Sequence, residues 1–208
     1  MRLTSDLLAD HHICKMQLIE IYNGTPGSGP NPWKVIFIFE ELDLPYAIKW
    51  IPYTDIKSEP YITLNPSGRL PAMLDPNHSV TLFESGAIVE YLTETYDQSY
   101  KISHGPENVS EKWLLRSWLY FQMSAQGPMF GQKMWFTHFH PDVGLTSAID
   151  RYANESKRII GVIEAHLLKR QQDGRSDEDL WLVGDKCTYV RFLPSAAAPV
   201  PRGLQDRG

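Results

Sequence analysis

The stretch NPSGRLPAMLDPNHSVTLFESGAIVEY, residues 65–91, carries the clearest structural signals in this chain. It holds two short apolar runs, residues 72–74 and 80–83, on either side of the turn sequence Asp75-Pro76-Asn77-His78. Two such runs around a Pro/Asn turn are typical of an antiparallel hairpin. The second run leads into Glu84-Ser85-Gly86 and a helical pattern, so a strand is predicted to pass directly into a helix at that point.

The Leu70-Pro71 step stands immediately before the hairpin. Because proline has no N–H to give to a ladder, Pro71 fits best at the start of a strand. A cis bond at Pro71 would bend the chain sharply. Such bonds are uncommon in proteins and usually have a structural or functional role. The bend would leave the N–H and C=O of Leu70 unpaired by the sheet and open to an extended peptide ligand.

Charge complementarity marks the Glu84-Ser85 junction as a binding site. A helix N-terminus presents free N–H groups and a partial positive charge, which attract a carboxylate. Ser85 adds a hydroxyl donor and Glu84 can hold an ammonium group, so the pair suits an amino acid head group that carries both charges. The structural alternative is an ordinary N-cap at Ser85 with Glu84 as a partner of the helix dipole.

Upstream of the hairpin, the pattern predicts a strand over residues 17–22 and a Gly/Pro-rich loop over 23–32. Asn31 as N-cap and Pro32 as first helical residue predict a helix over 32–43. Residues 35–39 of that segment have the amino acid preferences of a β-strand. The helix start signal and the strand propensity of the segment therefore disagree. A strand at 46–51, the hairpin and a helix at 85–96 complete the order β-α-β-loop-β-β-α, which is that of a thioredoxin-like α/β domain.

Downstream of a polar linker, residues 98–108, every periodic segment reads as helix. A helix is predicted over 110–136 with a kink at Gly127-Pro128. A second helix is predicted over 146–169, with Ser147 and Asp150 as a capping pair. The chain should therefore consist of an α/β domain followed by an all-α domain.

Composition narrows the class of protein. The net charge of −5 disfavours nucleic acid as a partner, and no apolar run approaches the ~20 residues needed to span a bilayer. Cys14 and Cys187 form neither a CxxC pair nor a disulfide framework, which suits a reducing cytoplasm. The first 15 residues lack the features of a secretory signal and are expected to be a disordered or misassigned extension, with Met16 as an alternative initiator.

Histidines and a cysteine raise the question of a metal site. His11 and His12 lie near Cys14, and His138 lies two residues from His140. Neither group has a further cluster of ligands to complete a coordination set. No metal is therefore predicted.

Five motifs in order carry a resemblance to a known family. They are GPNPWKV (29–35), NPSGRLPA (65–72), ESGAIVEYL (84–92), FQMSAQGPMFGQ (121–132) and LVGDKCTY (182–189). The sequence from Tyr22 to Tyr189 resembles the glutathione transferases. It is most similar to the fungal class that includes the yeast nitrogen-catabolite regulator and prion protein.

The resemblance implies a thioredoxin-like glutathione-binding domain over residues 16–97 and an all-α glutathione-transferase domain over 109–189. It implies that Leu70 and Pro71 pair with the cysteinyl backbone of glutathione and that Glu84 and Ser85 bind its γ-glutamyl head. Lys57 matches a position near the glycine carboxylate, its alternative being a solvated loop lysine. Glutathione would be the co-substrate of a cytoplasmic homodimer that acts on small electrophiles or disulfides.

In the fungal class the position facing the sulfur is occupied by the residue that matches Asn31. Asn31 is thus the candidate for stabilising the thiolate, with Tyr22 and Ser28 in reserve and a plain N-cap as the structural alternative. The acceptor-cleft region of the family matches a stretch that is also typical of a helical core. Its candidate lining residues are Gln122, Met129, Phe130, Trp135, Phe136, His138 and His140.

The expected activity is conjugation of glutathione to electrophiles, or reduction of peroxides or glutathionyl disulfides. A non-catalytic regulator with the same fold is the rival hypothesis, and an inactive truncated transferase is the third. The last arises because the match stops at Val190. In the family an Asp completes a capping box three residues after Thr188, whereas this chain has Arg191.

The segment 190–208 contains Pro194, Pro199 and Pro201 and few large apolar residues, so it is predicted to be a disordered tail outside the family pattern. A retained intron or a frameshift at Val190 would produce such a tail. The all-α domain would then be incomplete, and its helices would expose apolar surface.

Overall fold

The computed structural model describes residues 16–25, 29–175 and 180–192. Four strands form one sheet, namely β1 (Ile19–Thr25), β2 (Tyr46–Pro52), β3 (Ala72–Asp75) and β4 (Val80–Phe83). The α-helices of these residues are α1 (Pro30–Glu41), α2 (Tyr61–Leu64), α3 (Ser85–Tyr96), α4 (Val109–Phe121), α5 (Gly127–His138) and α6 (Thr146–Gln172). A π-helical turn occupies Gln122–Gln126, and a 3-10 turn occupies Tyr189–Phe192.

The sheet has the strand order β2-β1-β3-β4. β1 runs parallel to β2, with Ile19 opposite Tyr46, and antiparallel to β3. β3 and β4 form the predicted antiparallel hairpin, with Asp75 opposite Val80. The prediction of a thioredoxin-like α/β domain followed by helices is therefore confirmed.

Helix α1 shows how tertiary packing overrides a local preference. Its β-like run forms a helix because the spacing of these residues on a helix turns most of them into the interface with the sheet and α3. Val35, Ile36, Ile38 and Phe39 are fully buried there, in one core with Ile19 and Ile21 of β1 and Ile88 and Val89 of α3. Burying large apolar side chains contributes about 1.5–3 kcal/mol each, which exceeds the propensity differences of strand and helix.

Two predicted helix starts were wrong. α1 begins at Pro30 with Gly29 as N-cap, so Asn31 is already helical. Pro30 suits the first helical position because its φ already has a helical value. An N–H at that position would have no hydrogen-bond partner within the helix, so its absence in proline costs nothing. α6 begins at Thr146 with Leu145 as N-cap and no side-chain cap, so the predicted capping pair of Ser147 and Asp150 does not form.

The predicted loop and strand limits also move. β1 extends to Thr25, three residues into the predicted loop, because the parallel ladder continues until Thr25 lies opposite Pro52. The loop that remains is therefore shorter than the Gly/Pro composition indicated.

The long helix predicted over residues 110–136 is interrupted. The π-helical turn separates α4 from α5, and it ends where the Gly127 N–H donates to the Gln122 carbonyl. Pro128 follows directly, and a proline lacks an N–H and clashes with the carbonyl four residues earlier. A wider turn removes that clash, which explains why a π-helical turn stands where a kink was predicted.

The chain beyond α6 returns to the core. Tyr189 and Val190 are buried, and the Tyr189 N–H donates to the Ile102 carbonyl at 2.8 Å. The prediction of a disordered segment starting at Val190 was thus wrong for its first residues, which form the 3-10 turn. Residues 193–208 and the predicted disordered extension 1–15 lie outside the described residues.

Gly184, in the LVGD motif, explains part of this return. It has φ +66, and a Cβ there would lie 2.7 Å from Nε2 of His104. Only glycine accommodates both the backbone angle and the close approach of that ring. Within the described ranges, no helix has the length and apolar character needed to cross a membrane.

Candidate functional site

The start of α3 has an unusual backbone. Glu84 is its N-cap and has φ 67 and ψ 111. A non-glycine residue with positive φ is uncommon, and such residues concentrate at functional sites. The Glu84 side chain is exposed, whereas Ser85, the first helical residue, is only 3% exposed. The junction therefore combines an accessible carboxylate, a partly hidden hydroxyl and the free N–H groups of a helix start.

The loop before β3 is held by Asn65. Its side-chain amide donates to the Arg69 carbonyl at 2.7 Å and to the Pro71 carbonyl at 3.4 Å, while its oxygen accepts from the Ser67 N–H at 3.0 Å. The Tyr61 hydroxyl donates to the same Arg69 carbonyl at 2.7 Å. Sequence reasoning did not assign this role to Asn65, although an Asn-Pro step is a known turn former.

Leu70 lies just outside the sheet. The Leu70-Pro71 bond is cis, and β3 begins only at Ala72. The backbone of Leu70 is therefore not part of the ladder between β3 and its neighbours. This is the arrangement that leaves backbone groups for an extended ligand.

Gly24 and Tyr53 connect Leu70 to the start of α1. A Cβ on Gly24, near the end of β1, would lie 2.9 Å from Leu70 Cδ1 and 2.6 Å from the ring of Tyr53. The Tyr53 hydroxyl accepts from the N–H of Gly29, the N-cap of α1, at 3.2 Å. Asn31, exposed in the first turn of α1, is thus at the same end of the sheet as Leu70.

Lys57 is exposed and lies beside the same loop. Its Cγ is 3.1 Å from the position that a Cβ on Gly68 would take. Lys57 therefore contacts the Asn65–Leu70 segment at Gly68, which is two residues before Leu70. Because the side chain is exposed, its ammonium stays accessible to a ligand.

Behind the start of α3, the α/β half meets the π-helical turn. The Ser85 hydroxyl is 3.7 Å from the Met123 sulfur, and the Lys34 ammonium donates to the same sulfur at 3.4 Å and to Gln122 Oε1 at 2.8 Å. A Cβ on Gly86 would come within 3.1 Å of Met123 Cγ, so glycine allows Met123 to approach α3.

Lys34 was missed from the sequence, although a lysine inside the run PWKVIF is an available signal. Its side chain is fully buried. Burial lowers the pKa of Lys34 to about 8, an effect that the nearby Glu84 carboxylate opposes. Gln122, expected to line the acceptor cleft, is instead buried as the partner of this ammonium.

Tyr22 is the reserve candidate for the sulfur that lies within the described residues. Tyr22 points away from the core face of β1 that Ile21 occupies, and its ring packs on Tyr61 at 5.6 Å. Burial, followed by the negative charge of Glu20, raises the pKa of Tyr22. Ser28 lies outside the described residues.

The acceptor-cleft candidates Met129, Phe130, Trp135 and His138 are spread around α5. At 3.6 residues per turn, Met129 and His138 lie on opposite sides of the helix. Met129 lines a groove with Tyr152 of α6, on the side where Phe136 stacks on Tyr152 at 5.5 Å. Met129 thus lies on the side of α5 that faces α6, whereas Trp135, which is 46% exposed, lies on another side.

Metal ligands are not clustered in the described part of the chain, where no group of three or more His, Cys, Asp or Glu side chains converges. The α3 junction combines the Glu84 carboxylate with the Ser85 hydroxyl and the N–H groups of the helix start.

Comparison with known proteins identifies the family of this chain. Residues 28–95 match the family model for the glutathione S-transferase N-terminal domain. Glutathione S-transferase-like protein OpS6 of Beauveria bassiana is 45% identical over 184 residues, which are 88% of this chain and 79% of that protein.

Solved structures show the same fold. Glutathione transferase URE2P6 from Phanerochaete chrysosporium, in complex with oxidized glutathione, has a TM-score of 0.74 and 38% identity, covering 86% of this chain and 77% of that one. Ure2p in complex with glutathione has a TM-score of 0.76 and 28% identity, covering 86% and 81%. This chain therefore belongs to the glutathione S-transferase family, among its fungal Ure2-like members.

Proposed function

We propose that this glutathione transferase binds glutathione between the start of α3 and the Leu70 loop, and uses the thiolate on small electrophilic or disulfide substrates. The observation that carries the proposal is the junction itself. Buried Ser85 and exposed Glu84 flank a free helix N-terminus, close in sequence to a cis-proline loop whose Leu70 backbone lies outside the ladder.

Each part of glutathione has a complementary group. The γ-glutamyl carboxylate is bound by the Ser85 hydroxyl and the first N–H groups of α3, and its ammonium by Glu84. The cysteinyl backbone pairs with Leu70 ahead of Pro71, as an added strand does. Lys57, exposed beside this loop, takes the glycine carboxylate.

Asn31 is assigned to the sulfur. A free thiol has a pKa of ~8.5, and lowering it by ~2 units takes ~2.7 kcal/mol of stabilisation of the thiolate over the thiol. The Asn31 amide donates one hydrogen bond, and the N-terminus of α1 adds its positive end. Because the thiolate is the nucleophile, these groups raise the reactive fraction at neutral pH.

The acceptor is proposed to bind against α5, on the side that carries Phe130, Trp135 and His138. Aromatic side chains that are partly exposed offer contact area to a small apolar electrophile. Conjugation, peroxide reduction and disulfide reduction are distinguished by which acceptor substrate the protein turns over. Purified protein should be tested with an aryl halide, a hydroperoxide and a glutathionyl disulfide.

The protein is also proposed to be a cytoplasmic homodimer. Trp113 and Tyr120 are exposed on α4, next to Arg116, which forms an ion pair with Glu90 of α3 at 3.0 Å. This face joins the two halves of the chain and combines aromatic anchors with charges, as protein interfaces do. Sedimentation should give twice the 23.8 kDa of one chain, and a monomer at micromolar concentration would contradict the dimer.

Ser85→Ala tests the site directly. Removing the hydroxyl leaves the bound carboxylate short of one donor, so glutathione should bind more weakly by about 1–3 kcal/mol. Isothermal titration calorimetry measures this. The matched control is Ser147→Ala, an exposed serine in the first turn of α6, and equal affinity in both variants would exclude Ser85 from the site.

Asn31→Ala tests the assignment of the sulfur. Turnover should fall more than affinity, and the pKa of the bound thiol, read from the pH dependence of the rate, should rise. Asn154→Ala, an exposed asparagine of α6, is the control. An unchanged thiol pKa in Asn31→Ala would remove Asn31 from the chemistry.

Regulation without catalysis is the second candidate function, because the fold is shared with Ure2p. Turnover of acceptor substrates distinguishes the regulatory function from the catalytic one. A chain that binds glutathione tightly and turns over none of the three acceptor classes would favour the regulatory function.

A further inference from the structure

Lys34 occupies a place that folding alone does not explain. Its side chain has no exposed surface, and its ammonium is held by Gln122 Oε1 at 2.8 Å and the Met123 sulfur at 3.4 Å. Burial lowers the pKa of this lysine to about 8, so holding the charged form costs the folded state free energy at neutral pH. An apolar side chain of similar size would avoid that cost.

The ammonium lies behind the proposed head-group site. The sulfur that Lys34 contacts is also 3.7 Å from the Ser85 hydroxyl, so one atom touches both groups. Glu84 is the charged group of α3 that acts on Lys34. From the π-helical turn the contacts are Gln122 and Met123, which carry no charge.

We propose that Lys34 is a positioning residue for glutathione, whose buried charge strengthens the hold of the α3 N-terminus on the γ-glutamyl carboxylate. The charge adds to the positive end of the helix and orients Ser85 through Met123. The inference rests on the proposed function, since it assigns a role toward the same ligand. It makes the affinity depend on the protonation of one residue outside direct contact with the ligand.

The direction of the pH effect follows from linkage. Below a pH of about 8 the lysine is charged and supports the carboxylate, and above it the lysine is neutral and the support is lost. By reciprocity, a bound carboxylate must raise the pKa of Lys34.

The test uses S-methylglutathione, whose blocked thiol does not titrate. Calorimetry on the full-length protein is run from about pH 6.5 to about pH 9, for wild type, Lys34→Met and Lys34→Arg. Between these limits the dissociation constant of the wild type should rise about fivefold more than that of Lys34→Met, in which only the ligand amine titrates. Lys34→Arg should lose no more affinity over this range than Lys34→Met does, because arginine stays charged and only the ligand amine titrates.

A second measurement needs no variant. The ¹³Cε resonance of Lys34 in the wild type reports its pKa with and without saturating S-methylglutathione, and the pKa should rise on binding. Parallel pH profiles of wild type and Lys34→Met, or a Lys34 pKa that the ligand leaves unchanged, would overturn the inference while the glutathione site stands. A wild type that binds no S-methylglutathione at any pH would overturn the proposed function and this inference together.

Discussion

The α/β half and the helical half of this chain bury apolar side chains to very different extents. α1 alone places Val35, Ile36, Ile38 and Phe39 in the core, at no exposed surface. α5 has no buried residue within the described structure, and α6 buries only Ile159 along 27 residues. The helical half has instead several large apolar side chains that are 46–64% exposed, namely Val109, Trp113, Tyr120, Trp135, Phe139, Ile160 and Leu168.

The difference in burial arises because the helices of the α/β half are covered by more neighbouring elements than α5 and α6 are. α1 and α3 pack on a sheet and on each other, and α4 joins their core through Leu115 and Leu119. α5 and α6 pack mainly on one another, with Phe136 on Tyr152, so each has an outward face that no described residue covers. Stability should therefore be concentrated in the α/β half and its contact with α4.

The largest loss of stability is expected for a substitution in the core of the α/β half. Ile36→Ala should lower the free energy of unfolding by about 3–4 kcal/mol, because it leaves a cavity in a fully buried site. Urea denaturation followed by circular dichroism measures the change. The matched control is Ile160→Ala in α6, where the side chain is 53% exposed and the loss should stay near 0.5 kcal/mol. Equal losses would mean that α6 is buried in solution.

The second prediction concerns a buried carboxylate in the hairpin turn. Asp75 has no exposed surface and accepts hydrogen bonds from the hydroxyls of Tyr91 at 2.6 Å and Tyr96 at 2.5 Å, and from Asn77. Burial raises the pKa of Asp75, but these hydrogen bonds outweigh it and lower the pKa to about 2.

A folded-state pKa below the unfolded value of ~3.9 stabilises the protein above pH ~4, and this stabilisation of about 2 kcal/mol is lost as the pH falls toward 2. Asp75→Asn should remove that step from the acid-unfolding curve. Glu155→Gln removes the partly exposed partner of Arg158 in the helical half and should leave the step in place. An identical acid transition in Asp75→Asn and wild type would contradict the prediction.

The smallest effect on stability is expected on the outward face of α6. Ile160→Gln with Leu168→Gln replaces two half-exposed apolar side chains, so the free energy of unfolding should change by less than about 0.5 kcal/mol per site. The fluorescence of a hydrophobic dye, which the wild type should bind through this surface, should fall in the double variant. A wild type that binds no dye would show that the face is covered in solution.

Local chemistry was enough to predict the elements around the site. The hairpin follows from two apolar runs about a Pro/Asn turn, and the start of α3 from the passage of such a run into a helical pattern. The helix predicted at residues 32–43 also formed, and its prediction depended on the proline start signal, since its composition is β-like. Its first residue was misplaced by two, since Pro30 serves as a helix start as well as Pro32 does.

The order of strands and helices, and the positions of Leu70, Glu84 and Ser85 at element ends, could therefore be predicted from the sequence, because each depends on neighbours along the chain. Only the tertiary structure decided that Lys34 is buried against Gln122, 88 positions away, and that Met129 faces α6. Such contacts depend on which helix faces meet once the two halves pack. No pattern within one helix contains that information, because the partner of each face lies on another element.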